Sequence, residues 1–173
     1  MASRPSAPGP LAPVEAFLRT RNEVDAAGLE RWRAAHGLPG EVTAETYARA
    51  VRLREALRSL MLANNAGPAA PAAFDLVNEE IVRCDLRPLV TAGGVRWPVG
   101  EREAHPGDLM LGAVLAGVLT AMSDGTWPRM KACAADDCQY AFYDHTRNRS
   151  GRWCDVAGCG ANARMRAYRR RRA

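Results

Sequence analysis

A chain of 173 residues has room for one ordinary hydrophobic core, with or without a small appendage. Its net charge of +5 is local: residues 131–173 hold ten Lys/Arg against four Asp, and residues 1–130 hold fourteen against fifteen acidic residues. That distribution argues for one patch facing a polyanion and against a uniformly basic surface.

The opening MASRPSAPGPLAP has four prolines and no apolar stretch, so residues 1–12 are expected to be a disordered extension and not a secretory leader. PVEAFLRTRNEV (13–24) and DAAGLERWRAAHGL (25–38) predict two short helices. The second turns Leu29, Trp32 and Leu38 toward a core, is capped by His36, and is stopped by Gly37 with Pro39. The strongest helical pattern is TAETYARAVRLREALRSLMLAN (43–64). Thr43 is its N-cap, with Thr46 three residues later, and Tyr47, Ala50/Val51, Arg54, Leu57 and Met61 form a stripe beside Leu53 and Leu60. NNAGPAAP ends it. A further helix, AAFDLVNEEIVRCD, places Phe74, Val77, Ile81 and Cys84 on one face. Cys84 reads there as a small core residue.

Two short runs flanking Gly93-Gly94 predict a β-hairpin. His105, before Pro106, has no recognisable partner. Residues 108–122 return to helix, and Gly112, Ala113, Ala116 and Gly117 would allow close approach of a neighbour. The apolar run Leu109–Met122 is too short to cross a bilayer, so a soluble, cytoplasmic protein without membrane contact is expected. SDGTWP then marks a boundary near 123–130.

Beyond it the cysteines read Cys133-x4-Cys138, fifteen residues, Cys154-x4-Cys159. Two equally spaced pairs separated by enough chain for a hairpin form a candidate four-cysteine site, which suits one structural Zn²⁺ because four soft ligands close the tetrahedron. The spacing leaves open an iron–sulfur cluster, redox dithiols or four unrelated thiols. QYAFYDHTRNRSGRW between the pairs predicts strand, turn, strand, and a helix is expected to start between Val156 and Ala161. Knuckle, hairpin and helix around one metal is a treble-clef-like arrangement.

The segment CAADDCQYAFYDHTRNRSGRWCDVAGCGANARMRAYRRRR resembles the CGNR zinc finger, a bacterial module. The layout upstream, including LERWRAAHGL, LREALRSLMLA and the hairpin ending at Trp97, is similar to the ABATE domain, described as a putative stress-induced transcription regulator. The resemblance implies a zinc-dependent, DNA-binding transcriptional regulator. The chain departs from the motif after Cys159-Gly160, where Ala161-Asn162 stand in place of Asn-Arg. The expected fold is therefore α+β and mostly helical: a helical regulator or sensor domain over 13–126, and a zinc finger over 127–173 ending in an Arg-rich helix.

Arginine completes the reading. On a C-terminal helix, which also carries Arg164, the residues Arg166, Arg169 and Arg170 share a face, while Ala161, Met165 and Tyr168 form a stripe expected to dock on the hairpin. Arg147, Arg149 and Arg152 in the preceding turn extend the surface. Arg takes phosphate and guanine edges bidentately, so DNA is the expected partner. A sequence-neutral polyanion tail and a zinc-stabilised protein-interaction module are the alternatives. The helical part would sense an unidentified small-molecule effector, form a homodimer, or both. Enzyme chemistry has little support. His145 near Asp144 and Asn148 lacks a second catalytic ligand, and no phosphate loop or nucleophile elbow is present.

Overall fold

The computed structural model describes residues 4–19, 25–38, 41–68, 70–100 and 105–172. The architecture is α+β and mostly helical, with two small antiparallel hairpins. Helix α1 (Leu11–Arg19) buries Leu11, Val14, Phe17 and Leu18, one helical stripe. The expected continuation to residue 24 lies outside the described residues. Helix α2 (Ala26–Ala35) starts where the Asp25 carboxylate accepts from Gly28 N at 2.7 Å. It ends at His36, whose Nδ1 lies 2.7 Å from Trp32 O, and Gly37 follows with φ +62°. Pro39 lies outside the described residues.

Helix α3 (Ala44–Ala63) begins as its sequence predicts, with Thr46 N donating to Thr43 Oγ1 at 3.1 Å. Beyond the expected apolar stripe it buries Arg49, only 1% exposed. That guanidinium donates to Glu80 Oε2 and to Asp108 Oδ1, each at 2.7 Å, and so ties α3 to α4 (Pro71–Arg83) and α5 (Pro106–Ser123). Burial alone would favour neutral arginine. The hydrogen bonds to both carboxylates outweigh it and raise the pKa further above its ordinary value.

The same cluster corrects the face expected of α4. Ala73, Val77 and Glu80 point inward, with Cys84 just past the end, and Phe74 is 49% exposed. Glu80 turns in to meet Arg49 and Ala73 takes the inward place expected of Phe74, while Val77, Ile81 and Cys84 lie against the core as expected. Cys84 is buried as expected, 3.9 Å from Arg49 Nη2, and burial pushes its thiol up to about 12.

Strands β1 (Leu89–Thr91) and β2 (Gly94–Arg96) pair antiparallel with Val90 opposite Val95. The turn is Ala92-Gly93, one residue earlier than expected, because Gly94 (φ +106°) already pairs with Thr91. His105 has a partner after all: it caps α5, its Nδ1 accepting from Gly107 N at 3.2 Å. Helix α5 is longer than the apolar run read from sequence. Its 18 residues have a mean hydropathy of 1.4, enough by length and composition to cross a bilayer, but half of them are buried inside the bundle. At Gly117 a Cβ would stand 2.7 Å from Pro10 O, so only glycine permits this approach of α5 to the chain entering α1.

Residues 4–10 are not a disordered extension. Glu15 on α1 is buried, and its carboxylate collects three donors: Ala7 N at 2.8 Å, Arg19 Nη2 at 2.6 Å and Tyr143 N at 3.0 Å. A buried carboxylate needs such partners, and satisfying this one draws the N-terminal arm onto the body. Composition changes near residues 123–130, but packing does not stop there. The core runs from α1, α3 and α5 through Trp127 into Met130, Ala132, Ala141 and Tyr143.

Candidate metal centre

Strands β3 (Met130–Ala132) and β4 (Ala141–Tyr143) pair antiparallel, Lys131 opposite Phe142, and all six residues are buried. Cys133 N donates to Tyr140 O at 2.9 Å, which extends the ladder to the first cysteine. Between the strands the chain turns back: Cys138 N donates to Ala135 O at 2.9 Å, and Gln139 takes φ +49°. The first cysteine pair is thus the loop of this hairpin. The expected strand, turn, strand between the two pairs is corrected accordingly. Only Ala141–Tyr143 is a strand there, and its partner precedes Cys133.

The reason lies at Asp144, which folds residues 144–151 into a turn instead of a returning strand. This buried carboxylate accepts from Thr146 N (3.0 Å), Thr146 Oγ1 (2.7 Å), Gly151 N (2.8 Å) and Lys131 Nζ (2.8 Å). Lys131 Nζ also donates to Arg149 O and to Gly151 O, so three ammonium hydrogens meet three acceptors. Burial would raise the Asp144 pKa. The hydrogen bonds from Lys131, Thr146 and Gly151 overcome that and hold it at about 2. Gly151 is required by contact, since a Cβ there would stand 2.7 Å from Asp144 Oδ1.

Cys154 and Cys159 follow. The Asp155 carboxylate accepts from Ala157 N at 2.9 Å and starts a wide helical turn, Val156–Gly160, that runs into α6 (Ala161–Arg170). The four Sγ atoms of Cys133, Cys138, Cys154 and Cys159 lie within 4.8 Å of one another. Cys138 and Cys154 are 3.6 Å apart, and Cys154 and Cys159 3.7 Å. Zn–S bonds of about 2.3 Å give a tetrahedron with edges of about 3.8 Å, so the donor set fits one zinc ion. These separations are far from the S–S bond of about 2.05 Å, and none of the four cysteines forms a disulfide. Burial, followed by hydrogen bonding and charge from the neighbouring sulfurs, pushes the Cys154 thiol well up. A cluster so crowded ionises fully only when a cation joins it.

The sequence reads Asn64 and Asn65 only as a helix end, whereas both hold the metal module to the bundle. Asn64 Nδ2 donates to Trp127 O (3.0 Å) and Met130 O (2.8 Å), and Asn65 Nδ2 to Ala132 O (2.8 Å) and Arg152 O (2.9 Å). Arg58 Nη1 adds a bond to Gln139 O at 2.8 Å. The one available signal for Asp144 is Lys131, the single lysine among 24 cations.

The arginines lie around the rim. Arg147 and Arg149 are exposed on the Asp144 turn, with Arg149 at φ +53°, and the Arg152 guanidinium stands 5.8 Å from the Trp153 ring centroid. On α6, Arg164, Arg166, Arg169 and Arg170 are all exposed, and Arg166 reaches Asp137 at 3.4 Å. The stripe expected to dock does not. Met165 is 57% and Tyr168 47% exposed, and α6 buries no residue. The helix is attached through its Cys159 end; Ala161, Ala163 and Ala167 are half-buried, Met165 and Tyr168 stay open, and the Arg172 guanidinium covers the Tyr168 ring at 4.7 Å.

Asn162, where the chain departs from the motif, lines a cleft beside Cys159. His145 has a structural place: its Nε2 lies 3.1 Å from Pro5 O and its ring packs edge-on to Tyr143.

Residues 129–172 match the CGNR zinc finger family, and residues 8–126, more than half of the chain, match the ABATE family, described as a putative stress-induced transcription regulator. Neither family is enzymatic. No curated protein matches the chain.

Proposed function

Because the chain belongs to the putative stress-induced transcription regulator family and ends in a CGNR zinc finger, we propose that it regulates transcription by zinc-dependent binding to duplex DNA. The observation that carries this reading is the exposure of α6: a helix begun at the metal centre, burying none of its side chains, with Arg164, Arg166, Arg169 and Arg170 solvent-facing. Arg147, Arg149 and Arg152 project from the turn that Asp144 holds. Guanidiniums on such a frame place their forks on phosphates and base edges, contacts that position and read a duplex. The pairing of Arg166 with Asp137 is exposed and worth little, so it does not withhold that arginine.

Within this reading residues 127–173 are a treble-clef-like contact module. Residues 13–126 sense a small-molecule effector or supply a homodimer contact, and the protein acts in the cytoplasm under stress. A second reading, a protein-interaction module, is favoured by the exposed Met165, Tyr168 and Tyr140. Fluorescence anisotropy of the zinc-loaded protein on duplex DNA from its own upstream region, with a scrambled duplex as competitor, separates the two. The DNA reading predicts preference for the specific duplex. With about five phosphates neutralised, it also predicts a fall in log K of roughly 4–5 per tenfold rise in salt. Absent or salt-insensitive binding contradicts it.

A further inference from the structure

A cleft of about 500 Å³ opens beside the metal centre, with Arg4, Arg19, Tyr140, Phe142, Cys154 and Cys159 among its walls. Arg4 reaches across 150 positions of sequence. Its Nε donates to Cys154 O at 2.9 Å and its Nη2 to Trp153 O at 2.8 Å, while the guanidinium lies 4.8 Å from the Phe142 ring centroid. The arm that carries it is held at two further points, Ala7 N on Glu15 and Pro5 O beside His145 Nε2. Arg19 stands over Tyr140 at 5.2 Å and donates to Ala141 O at 3.3 Å, but its charge is largely answered by Glu15 at 2.6 Å.

We infer that Arg4 is a positioning residue of the metal centre: the N-terminal arm clamps the Trp153–Cys154 backbone and sets a positive charge beside the thiolates, with Arg19 as a minor partner. One Zn²⁺ held by four thiolates leaves two negative charges in a partly buried site, and a guanidinium in the same cleft lowers the electrostatic cost of keeping them there. The guanidinium also engages two successive carbonyls at once, which the compact ammonium of lysine does not reproduce. An anionic small molecule in this cleft would face the same two negative charges, so the arginines answer the centre and not a ligand. Asp155, also on the wall, is engaged in capping Ala157. The inference rests on the four-thiolate zinc site and is independent of DNA binding.

The test is zinc transfer from the full-length, zinc-loaded protein to a chromophoric chelator, together with the thiolate-to-metal charge-transfer band of the Co²⁺-loaded protein. Outer partners of metal ligands typically change affinity 10–100-fold, so Arg4→Gln is expected to speed transfer about tenfold, with Arg19→Gln a lesser effect. Arg4→Lys keeps the charge but loses the two-carbonyl grip and is expected to fall between wild type and Arg4→Gln. Loss of the nearby charge should move the Co²⁺ band to lower energy in Arg4→Gln, and Arg4→Lys should restore it. Wild-type transfer rates and an unmoved band in both Arg4 variants would overturn the inference. So would faster transfer in both with no recovery of the band by lysine, which would make Arg4 a structural residue only.

Discussion

The hairpin β3–β4 and the helix α6 flank one metal centre, the first cysteine pair in the loop of the hairpin and the second just before the helix, and they differ in almost every other respect. All six strand residues of the hairpin are buried in the core that α1, α3 and α5 build, and Glu15, Arg58, Asn64 and Asn65 bond to its backbone. Helix α6 buries nothing. Its attachment to the body runs through the metal loop, where Asn65 and Arg4 grip the carbonyls of Arg152, Trp153 and Cys154. The difference assigns the metal a particular task. In small isolated fingers zinc supplies the folding energy of the whole unit. Here the hairpin half has apolar burial of its own, so zinc is needed mainly to anchor the segment that presents arginine.

Losing the metal should break the comparison most strongly. Cys154→Ser is expected to abolish stoichiometric zinc and lower DNA affinity at least 100-fold in anisotropy. Circular dichroism should lose the signal of about the ten residues of α6 while the bundle persists. A Cys154→Ser protein that still holds one equivalent of zinc would sink the four-ligand site.

The next largest effect falls on the hairpin side. Removing one partner of a buried ion pair costs about 3–5 kcal/mol, so Lys131→Met, which strands Asp144, should lower stability by that amount in urea denaturation. Adding Asp144→Leu should recover part of it. The pair also has a pH signature. The folded Asp144 carboxyl lies at about 2, below its unfolded value near 4, so its contribution is full above pH 4 and is lost as pH falls through 2. The stability gap between wild type and Asp144→Asn should therefore narrow from pH 4 downward. A gap constant over that range would contradict the pairing.

The smallest stability effects belong to α6. Arg169→Ala and Arg170→Ala should each change stability by less than about 0.5 kcal/mol. Each should still reduce the salt slope of DNA binding by about 0.9. Large stability losses there would mean that α6 is packed and not presented.

What is legible in the sequence is what local chemistry decides. Thr43 capping α3, Gly37 after His36, the cysteine spacing and the small residues of α5 each act within a few positions or through one neighbouring face. The misreadings share a different cause. Phe74 reads as inward because the buried Arg49–Glu80–Asp108 cluster, which draws Glu80 into the core, joins residues far apart in sequence. A returning strand is expected after Tyr143 because nothing local reveals that Asp144 gathers four donors. Residues 4–10 look disordered by composition until Glu15 and the Trp153–Cys154 carbonyls are placed beside them. Helix α6 has an amphipathic pattern, but periodicity names a face without saying that anything covers it.

Hydrogen–deuterium exchange of the zinc-stripped and zinc-loaded protein tests the division of labour most directly. Amides of Met130–Ala132 and Ala141–Tyr143 should remain protected after zinc removal, while those of Val156–Arg170 exchange at rates near those of an unfolded chain. Equal loss of protection in both segments would contradict it, showing that the metal folds the hairpin as well as holding the helix.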